Sequence, residues 1–244
     1  MARHALRYDT PPAAPPPTPI AFPDLRGEWR IGREALRLAL SAPAFALSPR
    51  GRGETVVLFP GWQAPEASMA PLRLLLRRRG YDARHWGLGV NRGDVEGYLE
   101  TLVPEISGLA ADVGAPIALV GWSLGGVIAR ELARECPAAV SCVATFGTPV
   151  LGGPSYSAAA RAYGDAECAR IAEETRRRAA ERPIRAPIAA VFTRLDSIVS
   201  WPACIDRDSP AVTHFEVQST HLSMGIDPTV WQLVLEHLGR HATP

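Results

Sequence analysis

The sequence predicts an α/β fold: a mostly parallel central sheet with helices on both faces and a small helical insertion. Three observations carry this. Short apolar or β-branched runs alternate with longer runs of helical spacing. Ile117–Val120 is apolar without alternation, as a strand buried on both faces of a parallel sheet must be. The pentapeptide Gly121-Trp122-Ser123-Leu124-Gly125 then joins that run directly to a helical one. At 244 residues the chain suits one large domain, since a split would leave two small cores.

The first 27 residues form a Pro-rich arm without an apolar core, and Pro11–Pro23 is expected to be an extended, flexible segment biased to polyproline II. Residues 28–244 form the domain. Glu28–Ser41 has helical spacing, with Trp29, Ala35, Leu36 and Leu40 available for burial. Thr55–Phe59 is a β-branched run stopped by Pro60-Gly61. Met69–Arg79 is helical, with Leu72, Leu75 and Leu76 on one face and Gly80 as its stop. Asp82–Trp86 is a weaker strand, followed by a Gly-rich loop to Gly93. Asp94–Val113 is a long helix interrupted in principle by Pro104. After the central strand and the helix that follows it come a strand at Ser141–Phe146 and a helical Ala/Arg/Glu-rich stretch at Pro154–Arg182. Strands at Ile188–Thr193 and Phe215–Gln218 and a closing helix at Thr229–His237 complete the chain.

Composition narrows the function classes. The net charge of +1 offers no electrostatic case for nucleic acid or an anionic membrane surface. All 26 basic residues are Arg, a compositional bias that points to no chemistry. The four cysteines form no CxxC pair, which suits a reducing compartment. No run reaches the ~18 apolar residues of a membrane span, and the prolines of the arm break any signal-peptide core. The expectation is a cytoplasmic protein without stable membrane insertion.

Chance alone supplies about 0.1 matches to G-x-S-x-G in a chain of this composition. The flanking strand and helix make the match specific. A serine on a tight strand-to-helix turn has its hydroxyl pushed out of the sheet edge, poised as a nucleophile. It needs a base, and the base needs an orienting acid. In the order Ser, acid, His, Asp196 follows the apolar strand ending at Thr193, and His221 follows the next strand. Both are expected at the same sheet edge as Ser123, where ligands bind in open α/β sheets. Asp206 and Asp208 read as solvated loop carboxylates, Asp165 as a helix N-cap, and His214 as preceding its strand at the opposite edge. Two backbone amides are needed for a developing oxyanion. Leu124, directly after the serine, supplies one, and Trp62, in the loop opened by Pro60-Gly61, supplies the other.

Six blocks occur in order: Phe59-Pro60-Gly61-Trp62; Trp86-Gly87-Leu88-Gly89-Val90-Asn91; Gly121-Trp122-Ser123-Leu124-Gly125-Gly126; Phe146-Gly147-Thr148-Pro149; Arg194 to Trp201; and Ser219 to Gly225. Over about residues 50–240 the chain resembles a bacterial esterase/lipase-like branch of the α/β-hydrolase superfamily. The resemblance implies Ser123 as nucleophile, Asp196 as acid, His221 as base, and Trp62 and Leu124 as oxyanion donors. It implies an acyl-enzyme route to ester cleavage with no metal or organic cofactor, acting on a small-molecule or lipid ester. It also implies a cap at 151–185, where Tyr156, Tyr163 and Ile171 offer apolar contacts. Trp122 is a second candidate substrate contact, and Trp86 and Trp201 are further candidates for an apolar pocket. Acyl transfer or thioester cleavage by the same acyl-enzyme is the alternative chemistry, and an inactive binding protein on this fold the alternative class. The runs Arg77–Arg79 and Arg176–Arg178 read as solvated helix faces.

Overall fold

The computed structural model describes residues 5–20, 27 and 31–243. Trp29 and the start of the first expected helix lie outside them. In chain order the elements are β1 (Leu6–Tyr8), α1 (Ile31–Leu40), α2 (Ala42–Ala46), β2 (Thr55–Phe59), α3 (Ala70–Arg78) and β3 (Asp82–His85). There follow α4 (Val95–Val113), β4 (Ile117–Trp122), α5 (Leu124–Glu135), β5 (Val140–Phe146), α6 (Ala160–Tyr163) and α7 (Asp165–Glu181). The chain closes with β6 (Ile188–Phe192), β7 (Val212–Glu216) and α8 (Pro228–His241). The sheet runs β1-β7-β6-β5-β4-β2-β3, parallel throughout except for antiparallel β1.

Side chains alternate between two cores, as the pleat requires. Val56, Leu58, Val120 and Phe146 pack with Leu72, Leu76 and Trp231 on one face. Val57, Phe59, Leu119 and Val143 pack with Leu102, Ile106 and Ile128 on the other. Helices therefore cover both faces. Pro104 sits inside α4 without ending it; the residue is exposed, so the carbonyl it leaves free is open to water.

Several sequence expectations are corrected. α1 turns a different face inward: Leu36 and Leu40 are 63% and 73% exposed, and Ala35 is exposed too. The residues that dock are Glu34, buried against Arg37, and Leu38, packed on the core. A polar anchor decides the phase, because Arg37 reaches Thr229 at the start of α8 (3.3 Å) and lies near Asp227. β7 begins three residues earlier than expected. His214 is therefore inside the sheet, opposite Ala190 and Tyr8, and fully buried. Its polar neighbours Thr213 and Glu216 mask the strand signal.

The arm also departs from the unstructured expectation. Leu6–Tyr8 pairs with β7, and Tyr8 donates to Glu216 (2.9 Å). Residues 11–20 have no regular structure yet lie against the molecule, where Arg207 donates to the Pro12 carbonyl and the Thr18 amide to Ser200 Oγ.

Candidate active site

β2 and β4 are neighbours, but the chain leaves β2 for β3 on one side and β4 for β5 on the other. That reversal opens a crevice at the carboxyl ends of the two strands. The loops after β2 and β4 meet there: a methyl placed on Gly61 would sit 3.5 Å from Ser123 Cβ.

Ser123 bridges β4 and α5 with φ 54° and ψ −122°, a region that costs a non-glycine residue energy and is held only by its surroundings. Those surroundings are specific. The Ser123 amide donates to the Phe146 carbonyl (2.8 Å), and its own carbonyl accepts from Gly126 N–H (2.9 Å) and Thr148 Oγ1 (3.0 Å). Side chains are excluded around the turn. A methyl on Gly121 would land on the backbone of Gly125 and Gly126, one on Gly125 on the Phe59 and Pro60 carbonyls, and one on Gly126 on Thr148. The helix thus starts directly against the sheet, and Leu124 is its first residue.

Asp196 and His221 come together although 25 residues separate them. Asp196 Oδ2 lies 2.7 Å from His221 Nδ1, and both side chains are out of solvent (0% and 3% exposed). The other carboxylate oxygen accepts from the amides of Ile198 (2.9 Å) and Val199 (2.7 Å), so the acid is fully engaged and cannot rotate. An oriented carboxylate at Nδ1 leaves Nε2 as the free nitrogen of the ring. The imidazole rests on Gly147, whose φ is +61° and where any Cβ would lie 2.9 Å from the ring. Trp122 flanks it at 6.2 Å between centroids and stacks on Phe146.

Sequence reasoning assigned no role to Asn91, which organises the loop opposite. This fully buried side chain donates to the Pro60 carbonyl (2.8 Å) and accepts from Gly93 N–H (3.1 Å). Its backbone carbonyl takes the Gln63 amide (2.7 Å) and its amide binds the Ala64 carbonyl (3.1 Å). Gln63 is driven to φ 57° in the turn closed by Ala64 N–H and the Gly61 carbonyl. Trp62 is fixed between them. An asparagine in the Gly-rich loop was the available signal.

A cavity of about 600 Å³ opens over these groups. Ser123, His221, Trp62, Trp122 and Leu124 line it, with Val95 and Leu99 of α4, Val127 of α5 and Ile171 of α7. Tyr163 lines it and donates to the Gly93 carbonyl (2.9 Å). Tyr156, expected as a substrate contact, does not reach the wall; it packs on Gly152 instead. Trp86 is core, edge-on to Phe59 and Tyr98, and Trp201 stacks on Phe192 beneath Arg194.

The competing carboxylates and histidines have other duties. Asp206 is not solvated: it is 1% exposed and pairs with Arg130 at 2.8 Å. Burial pushes its carboxyl up, but the Arg130 charge and the amides of Asp208 and Ser209 outweigh that and hold it well below the usual range. His214 accepts the Asp206 amide (3.0 Å), and burial lowers its pKa to about 4. Asp165 opens α7 without capping it, since the N-cap is Gly164. Arg79 is buried rather than solvated, donating to the carbonyls of Ala46 and Ser48.

The model of the alpha/beta hydrolase family matches residues 56–242. The chain belongs to that family. Similar solved structures share the fold at low identity. The putative non-heme bromoperoxidase BpoC of Mycobacterium tuberculosis is 17% identical, with TM-score 0.55 over 78% of this chain and 94% of its own. A monoacylglycerol lipase of Paleococcus ferrophilus is 15% identical (TM-score 0.53; 76% and 97%). An epoxide hydrolase of Vigna radiata is 14% identical (TM-score 0.53; 76% and 92%). Curated proteins give no match. Relatives with such different names establish the architecture of this family member; its chemistry has to be argued from the site. Among the described residues no helix is long and apolar enough to cross a membrane, and no cluster of His, Cys, Asp and Glu is set to hold a metal.

Proposed function

We propose that this alpha/beta hydrolase cleaves carboxylic esters through an acyl-enzyme on Ser123. The observation that carries the reading is the buried 2.7 Å Asp196–His221 hydrogen bond on the same cavity as the strained Ser123 turn. His221 Nε2 removes the proton from Ser123 Oγ as it attacks the ester carbonyl. Asp196 fixes the tautomer and stabilises the imidazolium that forms. The amides of Leu124, at the N-terminus of α5, and Trp62, in the Asn91-braced loop, receive the oxyanion; each such donor is typically worth about 3–4 kcal/mol in the transition state. His221 then protonates the leaving alcohol, and water activated by the same ring releases the acid. Trp122 shields the imidazole and forms part of the substrate wall. Residues 151–185 act as the cap.

A fluorophosphonate probe tests the nucleophile directly. Wild type is expected to label stoichiometrically and Ser123→Ala not at all; equal labelling of both would remove Ser123 from the mechanism. Hydrolysis of p-nitrophenyl esters by wild type and not by Ser123→Ala tests the ester assignment.

A further inference from the structure

The cavity wall changes character with distance from Ser123. Near the serine it is aromatic and aliphatic; α5 and α7 then carry it past Val127 and Ile171 to Glu131, Thr175 and Arg178. Glu131 is two turns beyond the serine, so at 1.5 Å per residue the wall along α5 extends roughly 12 Å. It ends on a fixed ionic cluster. Arg178 Nε lies 2.6 Å from Glu174 and its Nη1 3.5 Å from Glu131, while Arg134 Nε is 3.3 Å from Glu131. Arg134 also donates to the Arg178 carbonyl (3.1 Å) and to that of Arg182, pinning the last turn of α7 to α5. Beyond this cluster is a separate void of about 20 Å³, which shares Val127, Glu131 and Thr175 with the main cavity. Val127, Glu131 and Thr175 therefore stand between the two spaces, with Glu131 and Thr175 as the polar part of that partition.

We infer that the space between α5 and α7 is the acyl subsite and that the Glu131–Arg178 cluster is its floor, limiting the enzyme to esters of medium-chain acids. This rests on Ser123 being the acylated residue. Glu96, Glu167 and Arg170 also line the cavity, but Leu99, Val127 and Ile171 offer an alkyl chain the apolar contacts that a polar acyl group would not use. A staggered chain of 1.52 Å bonds at about 111° advances about 1.25 Å per carbon, so roughly 12 Å accommodates about eight to ten carbons. A longer chain must push methyl groups against the Glu131–Arg178–Glu174 ion pairs, and separating such pairs without replacement is unfavourable.

The test is a ladder of p-nitrophenyl esters from C4 to C16, read as kcat/KM ratios for wild type, the double variant Glu131→Ala/Arg134→Met, and Thr175→Phe. Fluorophosphonate labelling of each protein reports Ser123 independently. Wild type is expected to peak near C8–C10 and fall about tenfold or more by C16. Glu131→Ala combined with Arg134→Met removes the partition without leaving Arg134 as an unpaired buried cation, and should raise the C14:C8 ratio about tenfold. Thr175→Phe narrows the subsite and should lower the C10:C4 ratio by a similar factor. The two variants act on opposite sides of the wild-type limit, so misfolding of one, seen by circular dichroism, leaves the other to decide. Unchanged ratios in a folded variant, or wild type accepting C16 as well as C8, would overturn the floor. Loss of the Ser123 reading is distinct: no labelling and no hydrolysis at any length.

Discussion

In the proposed mechanism Asp196 makes the strictest demand on its surroundings, and that demand predicts the outcome of one variant. Asp196 receives two amides and one imidazole nitrogen, a set that an amide side chain fits in shape but not in charge. Asp196→Asn should therefore fold normally while lowering kcat about 10⁴-fold, because the ring is left in the wrong tautomer. Steady-state kinetics alongside a thermal melt check this; an Asp206→Asn variant with the same kinetic loss would transfer the acid role. The burial of Asp206 against Arg130 predicts instead that Asp206→Asn loses stability. The convergence of Ser123, Asp196 and His221 on one cavity edge was legible because each follows a strand of the parallel sheet. Asn91 was not, since its role is four hydrogen bonds to backbone across a fold that only the assembled loop reveals.

At the scale of an element, the β4–α5 junction depends on what is missing from it. Gly126 faces Thr148 with no space for a methyl, and Thr148 in turn holds the Ser123 carbonyl. Gly126→Ala is expected to destabilise the protein by about 1–3 kcal/mol through overpacking and to weaken fluorophosphonate labelling in the fraction that folds. Urea denaturation and labelling rate measure the two effects separately. Elements with a strong apolar period, such as β4, α3 and α4, were readable from the sequence. α1 and β7 were not, for one physical reason. In both, polar side chains are buried because polar partners meet them: Glu34 pairs with Arg37, which itself reaches Thr229 and lies near Asp227, and His214 takes the Asp206 amide. Local hydrophobicity carries no trace of those partners, so the apolar pattern pointed to the wrong face of α1 and the wrong start of β7.

At the scale of the whole molecule, buried histidines set the response to acid. Burial lowers the pKa of His214 to about 4 and of His237 to about 3, whereas the unfolded chain titrates near 6.5. Above about pH 6.5 neither state is protonated, and the contribution is constant. As pH falls from 6.5 towards 4 the unfolded chain takes up protons that the fold refuses, so stability drops by up to two protons' worth of slope. The depressed Asp206 carboxyl acts in the same sense at lower pH, its contribution being lost below the ordinary carboxylate range. Melting temperatures between pH 4 and 8 should fall steadily below 6.5, and His237→Leu should flatten that slope by about one proton. A pH-independent melt across this interval would contradict the burial of both rings. A last consequence belongs to the two ends of the sheet. β3 carries the Asp82–Arg84 pair (2.7 Å), and β1 is three residues long with the Arg7–Asp9 pair (2.7 Å) beside it. Charged, short borders of this kind deter another chain from adding itself strand to strand. Removing residues 1–10 would uncover His214–Glu216, the part of β7 that β1 covers, and that backbone edge then becomes a template for self-association.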